Sequence, residues 1–175
     1  MLSYGPALEG DLEPRHFNVL FLCTGNSARS IMAEAILNQK GTPNFTGYSA
    51  GSNPTGRVRP EALQQIAAAG MPTEGLRSKS WDEFAKPDSP HMHFVFTVCD
   101  RAASEVCPVW PGHPLTAHWG IPDPAVVEGT AQDVERAFFQ AFSALDRRIT
   151  LFLSLPLATL EEEVIQSEIT RIGRQ

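Results

Sequence analysis

Phe17-Asn18-Val19-Leu20-Phe21-Leu22-Cys23-Thr24-Gly25-Asn26-Ser27-Ala28-Arg29-Ser30 reads as a strand, a tight loop and the start of a helix in immediate succession. The first six residues form a short apolar run, the pattern of a strand covered on both faces. From Ser30 onward the apolar positions Ile31, Met32, Ala35 and Ile36 recur at helical spacing. Between the two lies a cysteine six positions ahead of an arginine. Backbone N–H groups at such a junction can ring an oxyanion, and the helix N-terminus adds positive potential. The same potential lowers the pKa of a cysteine, so Cys23 is expected to be a thiolate at neutral pH. Arg29 supplies a planar, permanently charged fork for a tetrahedral anion. Gly25 and Asn26 are the residues that most readily take positive φ, which turns successive N–H groups inward. Thr24, Gly25, Asn26, Ser27, Ala28 and Ser30 are therefore the candidate oxyanion-binding residues, with Ser30 placed either to cap the helix or to hydrogen-bond the thiolate. The plain alternative is a buried cysteine ahead of an ordinary helix cap. Glycine, asparagine and serine at a strand–helix boundary favour the nucleophile.

Composition narrows the classes. A chain of 175 residues suits one domain with a full core. The formal net charge is −6 and no Lys/Arg cluster is present, which disfavours sequence-independent nucleic-acid binding. Three cysteines cannot all pair with one another. No signal-peptide pattern opens the chain, and the longest apolar stretch, 149–157, is too short for a bilayer. A reducing cytoplasm is the expected location, with no membrane partner.

Residues 1–16 lack periodicity and are expected to be a disordered extension. Further strands are expected at Phe45–Ala50, 94–98 and 115–119. Pro60 opens a helix that Gly70 stops, and a short helix is expected at 80–85. Thr130, with Asp133 three residues on, caps a long helix striped by Phe138, Phe142, Leu145, Ile149 and Phe152. A last helix from about Thr159 presents Ile165, Ile169 and Ile172, expected to pack back on the domain. This alternation predicts an α/β fold: a four-stranded parallel sheet flanked by helices, three layers in all. Ligands bind such sheets at the carboxyl ends of the strands, where Cys23, Cys99 and the loop after Trp119 all fall.

Two more elements carry chemistry. Asp123, in Trp119-Gly120-Ile121-Pro122-Asp123-Pro124, sits in a loop stiffened by two prolines and can serve as a general acid. Taken alone it is an Asp-Pro turn. Cys99 and Cys107 flank one short segment at the end of a strand. Either alone reads as a small buried hydrophobe; the two together suggest redox chemistry.

Cys23 to Ser30, Ser49-Ala50-Gly51 and Asp123-Pro124 resemble the low-molecular-weight protein tyrosine phosphatase superfamily, and within it the arsenate reductases. The resemblance spans about 17–155, and it sets the expected domain limits: 17–157 for the phosphatase-like domain and 158–175 for a C-terminal helical extension. It implies that Cys23 attacks arsenate held by the loop and Arg29 while Asp123 assists departure of water. Cys99 then attacks the Cys23 sulfur, arsenite leaves, and Cys107 takes over the disulfide. An external thiol partner, thioredoxin or glutaredoxin with glutathione, resets the enzyme. Phosphate would compete as an anion, no bound cofactor or metal is expected, and a monomer suffices. A helix running unbroken from Cys99 to Cys107 would hold their Cα atoms about 12 Å apart, whereas a disulfide needs roughly 4.4–6.8 Å. The segment is therefore expected to unwind or loop out on oxidation.

The chain departs from the family in places. Cys99 and Cys107 are eight positions apart where thioredoxin-coupled members have seven. Ala28 stands where many relatives carry a second loop cysteine. No tyrosine pair follows Asp123, which disfavours a phosphotyrosine cleft. Two rivals remain: a phosphatase, which would not need Cys99 or Cys107, and a non-catalytic oxyanion or redox sensor, which would not need Asp123. Some reductases of this type bind a monovalent cation; the matching positions are Asn26, Glu34, Ser49, Ser80 and Asp82, whose plain roles are loop geometry and capping. His91 and His93 are too few for a metal site. Arg57 and Arg59 can steer an anion, and His118 and Trp119 match the reductase pattern near the acid loop.

Overall fold

β1 (Phe17–Leu22) lies at the centre of a parallel sheet. The chain leaves it through α1 (Arg29–Gly41) and returns as β2 (Phe45–Ala50) on one side. After α2 (Pro60–Ala68) and a 3-10 turn at Trp81–Phe84, it crosses to the other side of β1 as β3 (Phe94–Thr97). The short α3 (Asp100–Ser104) leads on to β4 (Leu115–His118) beside β3. The order is thus β2-β1-β3-β4, and the connections reverse direction at β1. A reversal of this kind opens a crevice at the carboxyl ends of the strands. The computed structural model describes residues 15–105 and 108–175, so Cys107 and nearly all of the expected N-terminal extension lie outside the described residues.

Alternation along β1 separates two cores. Val19 and Phe21 join Phe94, Phe96, Ile31, Ile36 and the stripe on α4 (Ala131–Leu153). Leu20 and Leu22 face the other way, into a smaller cluster with Val95, Phe84, Met92 and Trp110. The expected stripe residues Phe138, Phe142, Leu145, Ile149 and Phe152 are all buried. Thr130 and Asp133 form a reciprocal capping box at the head of α4.

The last helix, α5 (Glu162–Ile172), begins three residues later than expected, because the chain from Pro156 to Leu160 is spent in turns that bond back to Pro156 O. Ile165, Ile169 and Ile172 are buried in the main core. Trp119 is completely buried, stacks on Phe96 at 3.9 Å between ring centroids, and donates its Nε1–H to Ile169 O at 2.9 Å. At the opposite end, His16 bonds to Pro43 O and Thr46 Oγ1. Among the described residues no helix is long and apolar enough to cross a membrane.

Candidate active site

Cys23 directly follows β1, its N–H held by Ala50 O at 3.2 Å, and is buried. The loop after it is gripped from outside by its carbonyls. Thr24 O accepts from Asn53 N, Gly25 O from Thr55 N and Ser78 Oγ, and Ser27 O from Arg59 N, at 2.8–3.2 Å. With its carbonyls turned outward, the loop presents N–H groups to the crevice, the arrangement of an oxyanion nest. Asn26 takes the positive φ that this requires, 44°, and its side chain is fully buried. Its Nδ2 donates to Ser30 Oγ at 2.8 Å and its Oδ1 accepts from Lys79 N at 2.9 Å. Ser30 does not cap α1; its buried hydroxyl braces Asn26. The Ser49-Ala50-Gly51 motif has a steric reason. A Cβ on Gly51 would lie 2.4 Å from Thr24 O and 2.6 Å from Cys23 O.

Cys99 follows β3 and reaches the same crevice, since Leu22 pairs with Thr97 across the sheet. Its sulfur accepts from Thr24 N and Ala102 N, both at 3.4 Å. The Cys23 and Cys99 thiols line the same cleft and perturb each other's titration. The neighbouring Cys23 thiol, with the two N–H groups, pushes Cys99 down to about 5. The neighbouring Cys99 and burial push the Cys23 thiol up, against Arg29 and the Gly25 N–H. The two thiols titrate as a coupled pair, with Arg29 and the Gly25 N–H favouring the charge on Cys23 and the Thr24 and Ala102 N–H groups favouring it on Cys99.

Arg29 bridges the oxyanion loop and the acid loop. Its Nη1 donates to Ile121 O at 2.9 Å and its Nη2 lies 3.5 Å from Asp123 Oδ2. Asp123 Oδ1 accepts from Ala125 N at 2.9 Å, which aims the carboxyl from the head of a 3-10 turn, Pro124–Val126. Cys23, Thr24, Gly25, Ser27, Ala28, Arg29, Cys99 and Asp123 together line one cleft of about 550 Å³. Cys107 falls outside the described residues. The helix between the cysteines is only five residues long, and Glu105 after it is already extended, with ψ 152°. It is not the unbroken helix that would hold the pair apart.

The supporting roles of Glu105 and Arg148 escaped the sequence reading. Glu105 Oε1 accepts from Thr24 Oγ1 at 2.9 Å. Arg148, buried on the apolar face of α4, donates to Trp119 O, Gly120 O and Gln175 O and so fixes the start of the acid loop. An arginine three positions after Leu145 in the apolar stripe was the available signal. His118 spans Asp100 Oδ1 and Thr97 Oγ1 at 2.7 and 2.8 Å, tying α3 to the sheet. His91 and His93 are exposed, and His93 Nδ1 accepts from Asn18 N. Among the described residues no group of three His, Cys, Asp or Glu could hold a metal ion.

Residues 18–166 match the family model for low molecular weight phosphotyrosine protein phosphatase. The chain is 38% identical over 123 residues to an arsenate reductase of Bacillus licheniformis, covering 70% of this chain and 84% of that one. Among solved structures it resembles an arsenate reductase in a phosphate-binding state, with a TM-score of 0.65 and 22% identity over 79% of this chain and 97% of that one. It also resembles a thioredoxin-dependent arsenate reductase of Corynebacterium glutamicum, with a TM-score of 0.53 and 23% identity over 82% and 66%. At these identities the two structures establish the shared fold.

Proposed function

The chain belongs to the low molecular weight phosphotyrosine protein phosphatase family, and from that premise we propose that it reduces arsenate to arsenite through a cysteine relay. One observation carries this reading: the oxyanion cleft is lined by two thiols, Cys23 and Cys99. Phosphate-ester hydrolysis uses one. The likeness to named arsenate reductases supports the same conclusion.

Arsenate enters the loop against its inward N–H groups and Arg29. The proton on Cys23 leaves toward Cys99, and the Cys23 sulfur forms a bond to As(V) as an oxygen departs. Asp123 supplies the proton that lets that oxygen leave as water. Cys99 then attacks the Cys23 sulfur, and the proton it had taken passes to the departing arsenic oxyanion. The S–S bond forms, and the As–S electron pair stays on arsenic, which leaves as As(III). Two thiols have been oxidised by two electrons and one arsenic reduced by two. Cys107 then attacks Cys99 and frees Cys23. A dithiol partner reduces the final disulfide, thioredoxin first and glutaredoxin with glutathione second. The short α3 opens to let Cys107 approach. Such a cycle suits a monomer in a reducing cytoplasm and serves arsenic detoxification.

The test is arsenite formation with thioredoxin, thioredoxin reductase and NADPH, for the wild type and Cys99→Ser. Turnover that collapses in the variant supports the relay; failure with thioredoxin but turnover with glutaredoxin and glutathione assigns the partner. Equal hydrolysis of an aryl phosphate by both proteins, with no arsenite from either system, would make it a phosphatase. Stoichiometric anion binding without turnover of any substrate would leave a sensor.

A further inference from the structure

The residues matching the family's monovalent-cation positions do not fit an added cation here, because a lysine already stands among them. Lys79 is 8% exposed, Glu34 9% and Ser49 fully buried. The Lys79 ammonium meets Arg77 O at 2.9 Å, Ser49 Oγ at 3.2 Å and Glu34 Oε1 at 3.5 Å. Ser49 Oγ in turn donates to Glu34 Oε1 at 2.9 Å. Three oxygens from α1, β2 and the loop before the Trp81–Phe84 turn thus converge on one buried positive charge. The other matching positions are spent elsewhere: Ser80 Oγ accepts from Asp82 N, and Asn26 uses both ends of its amide on Ser30 and Lys79 N.

We propose that Lys79 is a built-in cation and a positioning residue for the oxyanion loop, making this protein's anion binding and turnover independent of monovalent salt. The link to the loop is the backbone of the same residue. Lys79 N holds Asn26 Oδ1, and Lys79 O accepts from Gly51 N at 3.0 Å. The ammonium anchors this backbone to α1 and β2. The backbone keeps Asn26 in its left-handed turn, and Asn26 orients the N–H groups on either side. Burial pulls the Glu34 carboxyl up and the Lys79 ammonium down, and each is the main counterweight to the other. Such a pair is stable only when both members are present.

The proposal about turnover rests on the reductase reading, but its first readout does not. Phosphate binding to the wild type is measured by calorimetry in potassium, sodium and choline chloride at equal ionic strength. The expected result is one affinity in all three. Several-fold tighter binding in potassium would overturn the proposal. Lys79→Ala deletes the ammonium and leaves its three oxygens. It is expected to weaken phosphate binding about 10-fold in choline, as for loss of an outer orienting partner, and to regain affinity with potassium or methylammonium. Wild-type affinity in choline, or a loss that no cation repairs, would argue for a merely structural lysine. Should Lys79→Ala not fold, Lys79→Met with Glu34→Gln keeps the site neutral, and weakened phosphate binding is again expected. Arsenate turnover is followed in the same salts. A wild type that binds phosphate independently of salt yet reduces no arsenate would sink the reductase reading and leave Lys79 where it is placed.

Discussion

Thr24 and Glu105 are joined by a 2.9 Å hydrogen bond that ties the first loop residue after the nucleophile to the end of the segment carrying Cys99. The same threonine points its N–H at Cys99 Sγ. Loop and redox segment are therefore one mechanical unit in the reduced site. Thr24→Val removes the hydroxyl and keeps the shape. Losing a net hydrogen bond worth about 0.5–1.5 kcal/mol should speed local opening of α3 roughly 2- to 12-fold. Hydrogen exchange at the Ala103 and Glu105 amides, which bond to Cys99 O and Ala102 O, reads this directly. Unchanged exchange would mean that the tie does not hold α3.

The coupled thiols make a second prediction, about pH. Cys99 is pushed down to about 5, chiefly by the neighbouring Cys23 thiol. A lowered folded pKa means that the thiolate is present above that value and lost as pH falls through it. Alkylation of Cys99 by iodoacetamide, in a Cys107→Ser background, should be half-maximal near pH 5. Cys23→Ala removes the largest cause, so the midpoint should climb toward the ordinary thiol range of about 8.5. The reverse change, Cys99→Ala, should lower the Cys23 midpoint, because Arg29 and the Gly25 N–H then act unopposed by the neighbouring sulfur. Identical midpoints in all three proteins would refute the coupling.

Asp123 and Arg29 should separate chemistry from binding. Asp123→Asn removes the proton donor and should cut arsenate kcat by about 10²–10⁴. Phosphate affinity should hold or improve, since the carboxylate 3.5 Å from Arg29 Nη2 no longer competes for it. Arg29→Lys replaces a fork by a point charge and abandons Ile121 O. Its phosphate affinity should fall about 10-fold or more, the worth of a charged hydrogen bond of 1.5–3 kcal/mol. An Asp123→Asn enzyme with unimpaired kcat would remove the acid from the mechanism.

Much of this site was legible in the chain because its parts are local. Cys23, Arg29 and the residues between them lie in one loop, and the apolar run before it and the helical spacing after it placed that loop at a strand end. Asp123 was legible by its prolines and Cys99 by its place after Phe94–Thr97. The supports were not, because they are long-range. Lys79 meets Asn26 across 53 positions and Glu34 across 45, and neither residue's type announces its partner. Glu105 reaches Thr24 across 81 positions. The influence of Cys99 on Cys23 was hidden for the same reason: helix position favours the Cys23 thiolate, but a sulfur 76 positions later shares its titration. The late start of α5 reflects turns from Pro156 to Leu160 that apolar spacing alone does not mark.

The final helix supplies a test of where the domain ends. Ile169 is completely buried, and its carbonyl takes the indole N–H of Trp119, whose ring lies flat on Phe96 at 9°. Trp119 in turn opens the acid loop, with Arg148 donating to its carbonyl at 2.7 Å. The α5 side chains thus support the residues that aim Asp123. Ile169→Ala should lower stability by about 2–5 kcal/mol, the range for a buried isoleucine, seen as an earlier midpoint in a single urea transition. Removing 158–175 strips Trp119 of both its cover and its hydrogen-bond acceptor, and the shortened chain should lose cooperative unfolding. Retention of a sharp transition and full phosphate binding by the shortened chain would show instead that α5 is an appendage to a domain ending near residue 157.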